Sequence, residues 1–239
     1  KTLQEKYNCN HFFFTDEALP INFLRTFAAK IIEEKVDVQW TGELKFEKSL
    51  LKDDRMDLLY KSGCRKLIFG LESYNQRVLD SMKKGVELSW VDETAERCMQ
   101  LGIAMHFYLI CGFPTETREE VMDSINFVLN NQRLLDSPGF SAILSQFDLE
   151  RGAPIEKNPA EWGLKNLYTP SEHDLSLGYS YETTIGMNSK EINDLYQELI
   201  EKLGREVMTF PHNYSLSDGL LYLAHHQRNS LTERLLTLA

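Results

Sequence analysis

Two stretches of this chain follow one grammar, and that grammar constrains the fold more than any other feature. LYKSGCRKLIFGLES (residues 59–73) and CMQLGIAMHFYLICGFPTET (98–117) each read as helix end, glycine, apolar strand, glycine turn, acid and helix start. The apolar run Met105 to Cys111 is short for a helix and suits a strand buried on both faces. Gly112 and Pro114 stop it. Thr117 with Glu120 has the spacing of a capping box, and Glu116, Glu119 and Glu120 add negative charge where a helix N-terminus favours it. In α/β folds, ligands bind where such a strand ends and its helix begins.

The same alternation runs through the first two thirds of the chain. Strands are expected at His11–Thr15, Val36–Leu44, Lys66–Phe69, Ile103–Cys111 and Phe140–Phe147. Between them lie a helix led by Pro20 (Phe23, Leu24, Phe27, Ile31 and Ile32 on one face), one over Leu51–Lys61, one begun by the Ser73/Gln76 capping spacing, and one from Ser89 to Leu101. Gly63 and Gly102 stand where helix C-termini favour a left-handed residue. Alternating strands and helices imply parallel pairing with right-handed crossovers. Helices apolar mainly on one face fit an outer ring, so the expected class is α/β, a partial TIM-like (β/α) barrel over residues 1–155. Residues 156–239 are expected to form a C-terminal extension. It is irregular to about 188 except for a strand near Leu177–Thr183. A helix capped by Ser189 then runs to about Glu206, and a last helical stretch begins at Ser217.

Length and charge narrow the function classes. At 239 residues the chain can build one well-cored domain or two small ones, and a net charge of −10 argues against a broad nucleic-acid or anionic-membrane surface. No apolar run approaches bilayer-spanning length and no signal peptide is legible, so a cytoplasmic location is expected. Cys9, Cys64, Cys98 and Cys111 lack the close spacing of a zinc or iron–sulfur site and read as reduced, mostly buried thiols; no metal site is assigned. The strand tips collect Asp16, Glu17, Glu43, Glu72, Ser73, Gly112, Pro114, Glu116 and Gln146, which a parallel barrel places at one end. Helix capping alone explains Ser73, Glu116 and Thr117. Asp16 and Glu17 directly follow four apolar residues and need water, a cation or an amine nearby. His106 lies inside a strand and reads as a core or barrel-lining residue.

Five motifs in order carry a resemblance. Phe12-Phe13-Phe14-Thr15-Asp16-Glu17, Trp40, Gly63 to Ser73, Lys84-Gly85, and Gly102-Ile103 with Gly112 to Thr117 resemble the radical SAM superfamily. They are most similar to the branch whose core often follows a cobalamin-binding domain. The resemblance covers residues 1 to 160 and implies a partial barrel of six strands, of which the five here look like strands two to six. The implied chemistry is reductive cleavage of S-adenosylmethionine to a 5′-deoxyadenosyl radical by a [4Fe–4S] cluster. The cysteine loop that holds such a cluster is not among these residues, so the expectation is a chain beginning downstream of it and inactive alone. The resemblance further implies that Asp16 and Glu17 meet the cofactor's amino group and that Glu72 and Ser73 meet its ribose. It assigns the adenine to Gly112, Phe113 and Pro114, with Gln146 alongside. It leaves the catalytic residues and the small-molecule substrate unassigned, and a cobalamin domain upstream open. Two other readings stand beside it: a non-catalytic barrel module used for binding or assembly, and an unrelated barrel enzyme using His106 or the acids. An exposed edge at residues 11 to 15 would favour a homo-oligomer.

Overall fold

The structure, a computed structural model, describes residues 1–169 and 177–206. Its order is α1 (Thr2–Tyr7), β1 (His11–Phe13), α2 (Ile21–Glu33), β2 (Gln39–Leu44), α3 (Arg55–Lys61), β3 (Cys64–Glu72), α4 (Gln76–Ser81), α5 (Leu88–Leu101), β4 (Ala104–Cys111), α6 (Arg118–Leu129), α7 (Gln132–Leu135), β5 (Ser141–Gln146), β6 (Leu149–Glu150), α8 (Pro154–Lys157), a 3₁₀ turn (Pro159–Trp162), β7 (Leu164–Tyr168), β8 (Gly178–Thr183) and α9 (Ser189–Glu206). The first five strands pair in sequence order, every pair parallel, as a curled half-barrel. The expected α/β partial barrel is therefore the fold. No helix among the described residues is long and apolar enough to cross a membrane.

Alternation along the strands divides the sheet into two faces. On the helix-covered face, Trp40, Leu44, Leu67, Phe69, Met105, Phe107, Leu109 and Cys111 belong to one buried cluster with Leu24, Val121 and Ile125. Phe69 stacks on Phe46 at 4.3 Å between ring centroids, and Phe107 meets Phe140 edge-on at 5.4 Å. The other, concave face carries more polar residues. Thr41 pairs in register with Lys66, and a second row runs Glu43, Ile68, His106 and Ser141. The His106 ring meets the Ser141 hydroxyl at 2.7 Å, so His106 lines the concave face as a hydrogen-bonded strand residue.

The grammar changes near residue 155, but the core continues beyond it. Strands β6, β8 and β7 form a small antiparallel sheet, and β7 was not legible in a segment expected to be irregular there. Ile192, Leu195, Leu199 and Leu203 of α9 then return to the main buried cluster. Residues 149–183 thus interrupt a β5-to-α9 unit. The helical stretch expected from Ser217 lies outside the described residues.

Two helix starts differ from expectation for local reasons. Asn75, not Ser73, caps α4 by accepting the Val78 amide at 3.3 Å. Asn188, not Ser189, caps α9: its side chain accepts the amides of Lys190 and Glu191, and Glu191 returns a bond from the Asn188 amide. At one edge of the described sheet, β1 is a three-residue strand with Phe13 exposed, beside an apolar cleft of about 440 Å³ lined by Phe12, Phe14, Phe27, Ile31 and Trp40 among others.

Gly63 and Gly85 both take positive φ, +98° and +64°, but a Cβ on Gly63 would stand 1.9 Å from the Val38 carbonyl oxygen while one on Gly85 meets nothing within 4 Å. Gly85→Ala should therefore cost roughly 1–2 kcal/mol of backbone strain. Gly63→Ala should cost clearly more, as a larger fall in the urea midpoint.

Candidate functional site

Because the five strands are parallel, their carboxyl ends share one rim, and the sequence-selected residues fall into two groups along it. The first is acidic and spans β1 to β3. Beyond β1 the chain stays tied to β2, the Phe14 amide donating to the Thr41 carbonyl at 3.0 Å, and then exposes Asp16 and Glu17 to solvent. Glu43, half-buried at the end of β2, has its carboxyl pushed above the usual range, first by burial and then by Glu72 and Glu17, with Lys84 acting oppositely. Glu17, Glu43, Glu72 and Lys84 are thus close enough to share one electrostatic field.

Glu72 is held by unusual backbone. It has φ +63°, rare for a residue with a side chain, where the β3–β4 register slips between Gly70 and Glu72. Its carboxylate pairs with the Lys84 ammonium at 2.8 Å. A Cβ at position 70 would lie 2.5 Å from Glu72 Oε1 and 3.4 Å from Lys84 Nζ, so the pair fills the space left by Gly70. Ser73 points elsewhere: it is fully buried, with its hydroxyl 3.3 Å from that of Ser124 on α6.

The second group surrounds the tip of β4. Gly112 has φ +85°. The amides of Gly112 and Phe113 both donate to Glu116 Oε2, at 2.8 and 3.2 Å, and Glu116 donates its own amide to the Phe113 carbonyl at 2.9 Å. Burial pushes the Glu116 carboxyl up to about 7, against the two amide bonds that favour its charge. The expected capping box is present, Thr117 accepting from the Glu120 amide and Glu120 from the Thr117 amide. Arg77 braces this turn through Glu120 and through the Thr115 hydroxyl and carbonyl, at 3.1 and 3.2 Å.

Several of these residues are already engaged by the protein. The Phe113 ring sits edge-on to Phe147 and Trp162, at 5.3 and 5.6 Å between centroids, and Pro114 is buried. A Cβ on Gly112 would meet Ile192 at 2.7 Å, so α9 occupies the space over that glycine. Gln146 is exposed, its amide nitrogen 3.4 Å from Asn193 Oδ1. Sequence reasoning noted Glu43 as a strand-tip acid without giving it a role and did not single out Lys84 or Arg77 as site residues; their positions depend on contacts 12 or more residues away.

The donor set fits an organic cation better than a metal cluster. Among the described residues no three His, Cys, Asp or Glu side chains are placed to hold a metal ion. Cys64, Cys98 and Cys111 are buried thiols, Cys111 pushed up to about 12 by burial, and Cys9 donates to the His11 carbonyl. These cysteines do not fit an iron–sulfur cluster, which needs exposed, clustered thiolates. Carboxylates at a rim do suit an ammonium or sulfonium group.

Comparison with known proteins gives the family. The model of the Radical SAM superfamily matches residues 3–128. The uncharacterized methyltransferase PH0819 of Pyrococcus horikoshii is 28% identical over 127 residues, 52% of this chain and 27% of that protein. The structure of the cobalamin-dependent S-adenosylmethionine radical enzyme OxsB with aqua-cobalamin bound superposes with a TM-score of 0.60 at 12% identity, covering 84% of this chain and 35% of that one. The radical S-adenosylmethionine methyltransferase TsrM from Kitasatospora setae, with cobalamin and a [4Fe–4S] cluster bound, gives 0.53 at 18% identity, covering 71% and 35%. The chain thus spans about a quarter to a third of the length of these proteins, and the structural likenesses speak for the fold.

The Glu116 carboxyl titrates higher folded than unfolded, so its contribution is most favourable below about pH 4.5 and is lost as pH rises to about 7. The loss is on the order of 3 kcal/mol. Glu116→Gln keeps an oxygen for the two amides but cannot ionise. The wild-type stability relative to this variant should therefore fall across pH 4.5–7 and level off above, read from urea midpoints at each pH.

Proposed function

Since the chain belongs to the radical SAM superfamily, we propose that it is the downstream part of an enzyme that binds S-adenosylmethionine across the rim of the half-barrel. In this reading Asp16 and Glu17 face the cofactor's amino group and Glu72 its ribose. The backbone of Gly112 to Pro114 lies against adenine, with Gln146 at the side. The observation that carries the reading is the gathering of carboxylates from β1, β2 and β3 at one rim of a sheet whose sequence matches this superfamily. A [4Fe–4S] cluster, when bound in the complete protein, would supply the electron that cleaves the cofactor to a 5′-deoxyadenosyl radical. Its ligands lie outside the cysteines described above. This chain's own residues bind and orient.

The names of two relatives support methyl transfer as the reaction class and cobalamin as a further cofactor: PH0819 is called a methyltransferase, and TsrM is a methyltransferase with cobalamin bound. The substrate we place among small molecules, and the location in the cytoplasm, where buried free thiols such as Cys64 and Cys98 stay reduced. The edge position of β1 in the described sheet, the exposed Phe13 and the apolar cleft beside it support self-association, so light scattering at high concentration should report more than a monomer.

The central reading is tested by anaerobic reconstitution with iron and sulfide, followed by reduction in the presence of S-adenosylmethionine. This chain should take up no stoichiometric four-iron cluster and form no 5′-deoxyadenosine, yet bind the cofactor weakly and saturably in calorimetry. A stable four-iron cluster would overturn the claim that the ligands lie elsewhere. A complete absence of cofactor binding would favour the alternative, a barrel used only for binding other partners or for assembly.

A further inference from the structure

Of the rim carboxylates, Glu72 and Glu43 have different fates. Glu72 is neutralised by Lys84 at 2.8 Å and locked by its left-handed backbone over Gly70. Glu43 makes no hydrogen bond or ion pair with any described side chain, although it is half-buried and feels both Glu72 and Glu17. Of the groups that act on Glu43, Glu72 and Glu17 are acids, and the cation, Lys84, is already paired with Glu72. Lys66 lies further back on the same face, in register with Thr41. No three ligating side chains among the described residues are placed to hold a metal.

An independent feature lies on the same strand. Thr41 precedes Glu43 by two residues and so shares its concave face, opposite Trp40 and Leu44, which lie in the helix-side core. Thr41 is 1% exposed, and its hydroxyl has no hydrogen-bond partner among the described residues. A buried hydroxyl left unsatisfied is costly unless something occupies the space it faces.

We propose that Glu43 and Thr41 form a binding site for an organic cation, an ammonium or sulfonium group, on the concave face at the end of β2. The carboxylate takes the charge, and where the cation is an ammonium the hydroxyl accepts one of its hydrogen bonds. Glu43 stands on a strand tip to which the resemblance assigns no role. Two sources share this chemistry: the charged end of S-adenosylmethionine, and an amine on the substrate. The first rests on the superfamily reading above and the second does not.

The test is binding to the wild-type chain, Glu43→Gln and Thr41→Val, using three probes: S-adenosylmethionine, the uncharged 5′-methylthioadenosine, and n-butylammonium. Calorimetry serves the first two and ligand-observed NMR the third. If the cofactor supplies the cation, Glu43→Gln weakens S-adenosylmethionine roughly tenfold or more and leaves methylthioadenosine unchanged. If the substrate supplies it, Glu43→Gln leaves both adenosines unchanged and weakens butylammonium instead. In either case Thr41→Val weakens the same probe by roughly threefold. Wild-type binding of butylammonium without S-adenosylmethionine would sink the cofactor reading and keep this site. Glu43→Gln binding every probe as the wild type does, or a wild type that binds no cationic probe, overturns the proposal. Thermal unfolding of each variant separates a lost site from a lost fold.

Discussion

Parallel pairing of β1 to β5 brings five strand ends to one rim, and it also requires cover on both sides of the sheet. Helices cover the convex side with an apolar cluster that reaches from Leu24 on α2 to Leu203 on α9. The concave side follows a different rule. Thr41, Lys66, His106 and Ser141 are all buried there, so it is a polar surface largely closed to solvent. Buried polar groups demand partners, and most here have them: the imidazole of His106 has the Ser141 hydroxyl. Of these four, Thr41 is the one whose hydroxyl has no hydrogen-bond partner among the described residues.

The rim's two halves differ in how rigidly the protein holds them. At β4 the Glu116 carboxylate takes two amides, Arg77 braces Thr115 and Glu120, and Ile192 closes over Gly112. This half is built by contacts from α4, α6 and α9 together. At β1 and β2 the acids stand in the open or half-open, with Lys84 the cation paired to Glu72. The half at β4 is rigid and the half at β1 and β2 is open and acidic, so in the reading proposed above the first would hold the adenine end and the second the cationic end of one ligand.

What the sequence revealed follows the range of the interactions involved. The capping box of Thr117 and Glu120 was legible because both partners lie within one helical turn. So were the five parallel strands, since apolar runs and glycine stops are local signals. Ser73 has the same spacing to Gln76, yet its hydroxyl meets Ser124, 51 residues away, and Asn75 takes the cap. Gln76 instead joins α4 to α5, bonding the Val86 carbonyl and the Leu88 amide. Spacing cannot reveal such a choice because it is made by tertiary packing. Strand β7 was hidden for a related reason: its partner β8 begins ten residues beyond its end and supplies the pairing that polar, turn-rich sequence does not advertise.

Phe113 shows how the interrupting sheet and the rim constrain each other. Its ring lies between Phe147, just past β5, and Trp162, in the turn before β7, within a buried cluster that includes Leu149 and Leu164. The small sheet is therefore anchored on the same residue whose backbone opens the β4 turn. If adenine lies at this turn, it meets the main chain of Gly112 to Pro114 rather than the Phe113 ring, because that ring is spent on holding the sheet. A change in residues 149–183 would then reach the rim through one aromatic contact, without altering any residue that touches the ligand. In the proposed reading that coupling would give the segment a means to set what fits at the β4 turn, independent of the acids on β1 to β3.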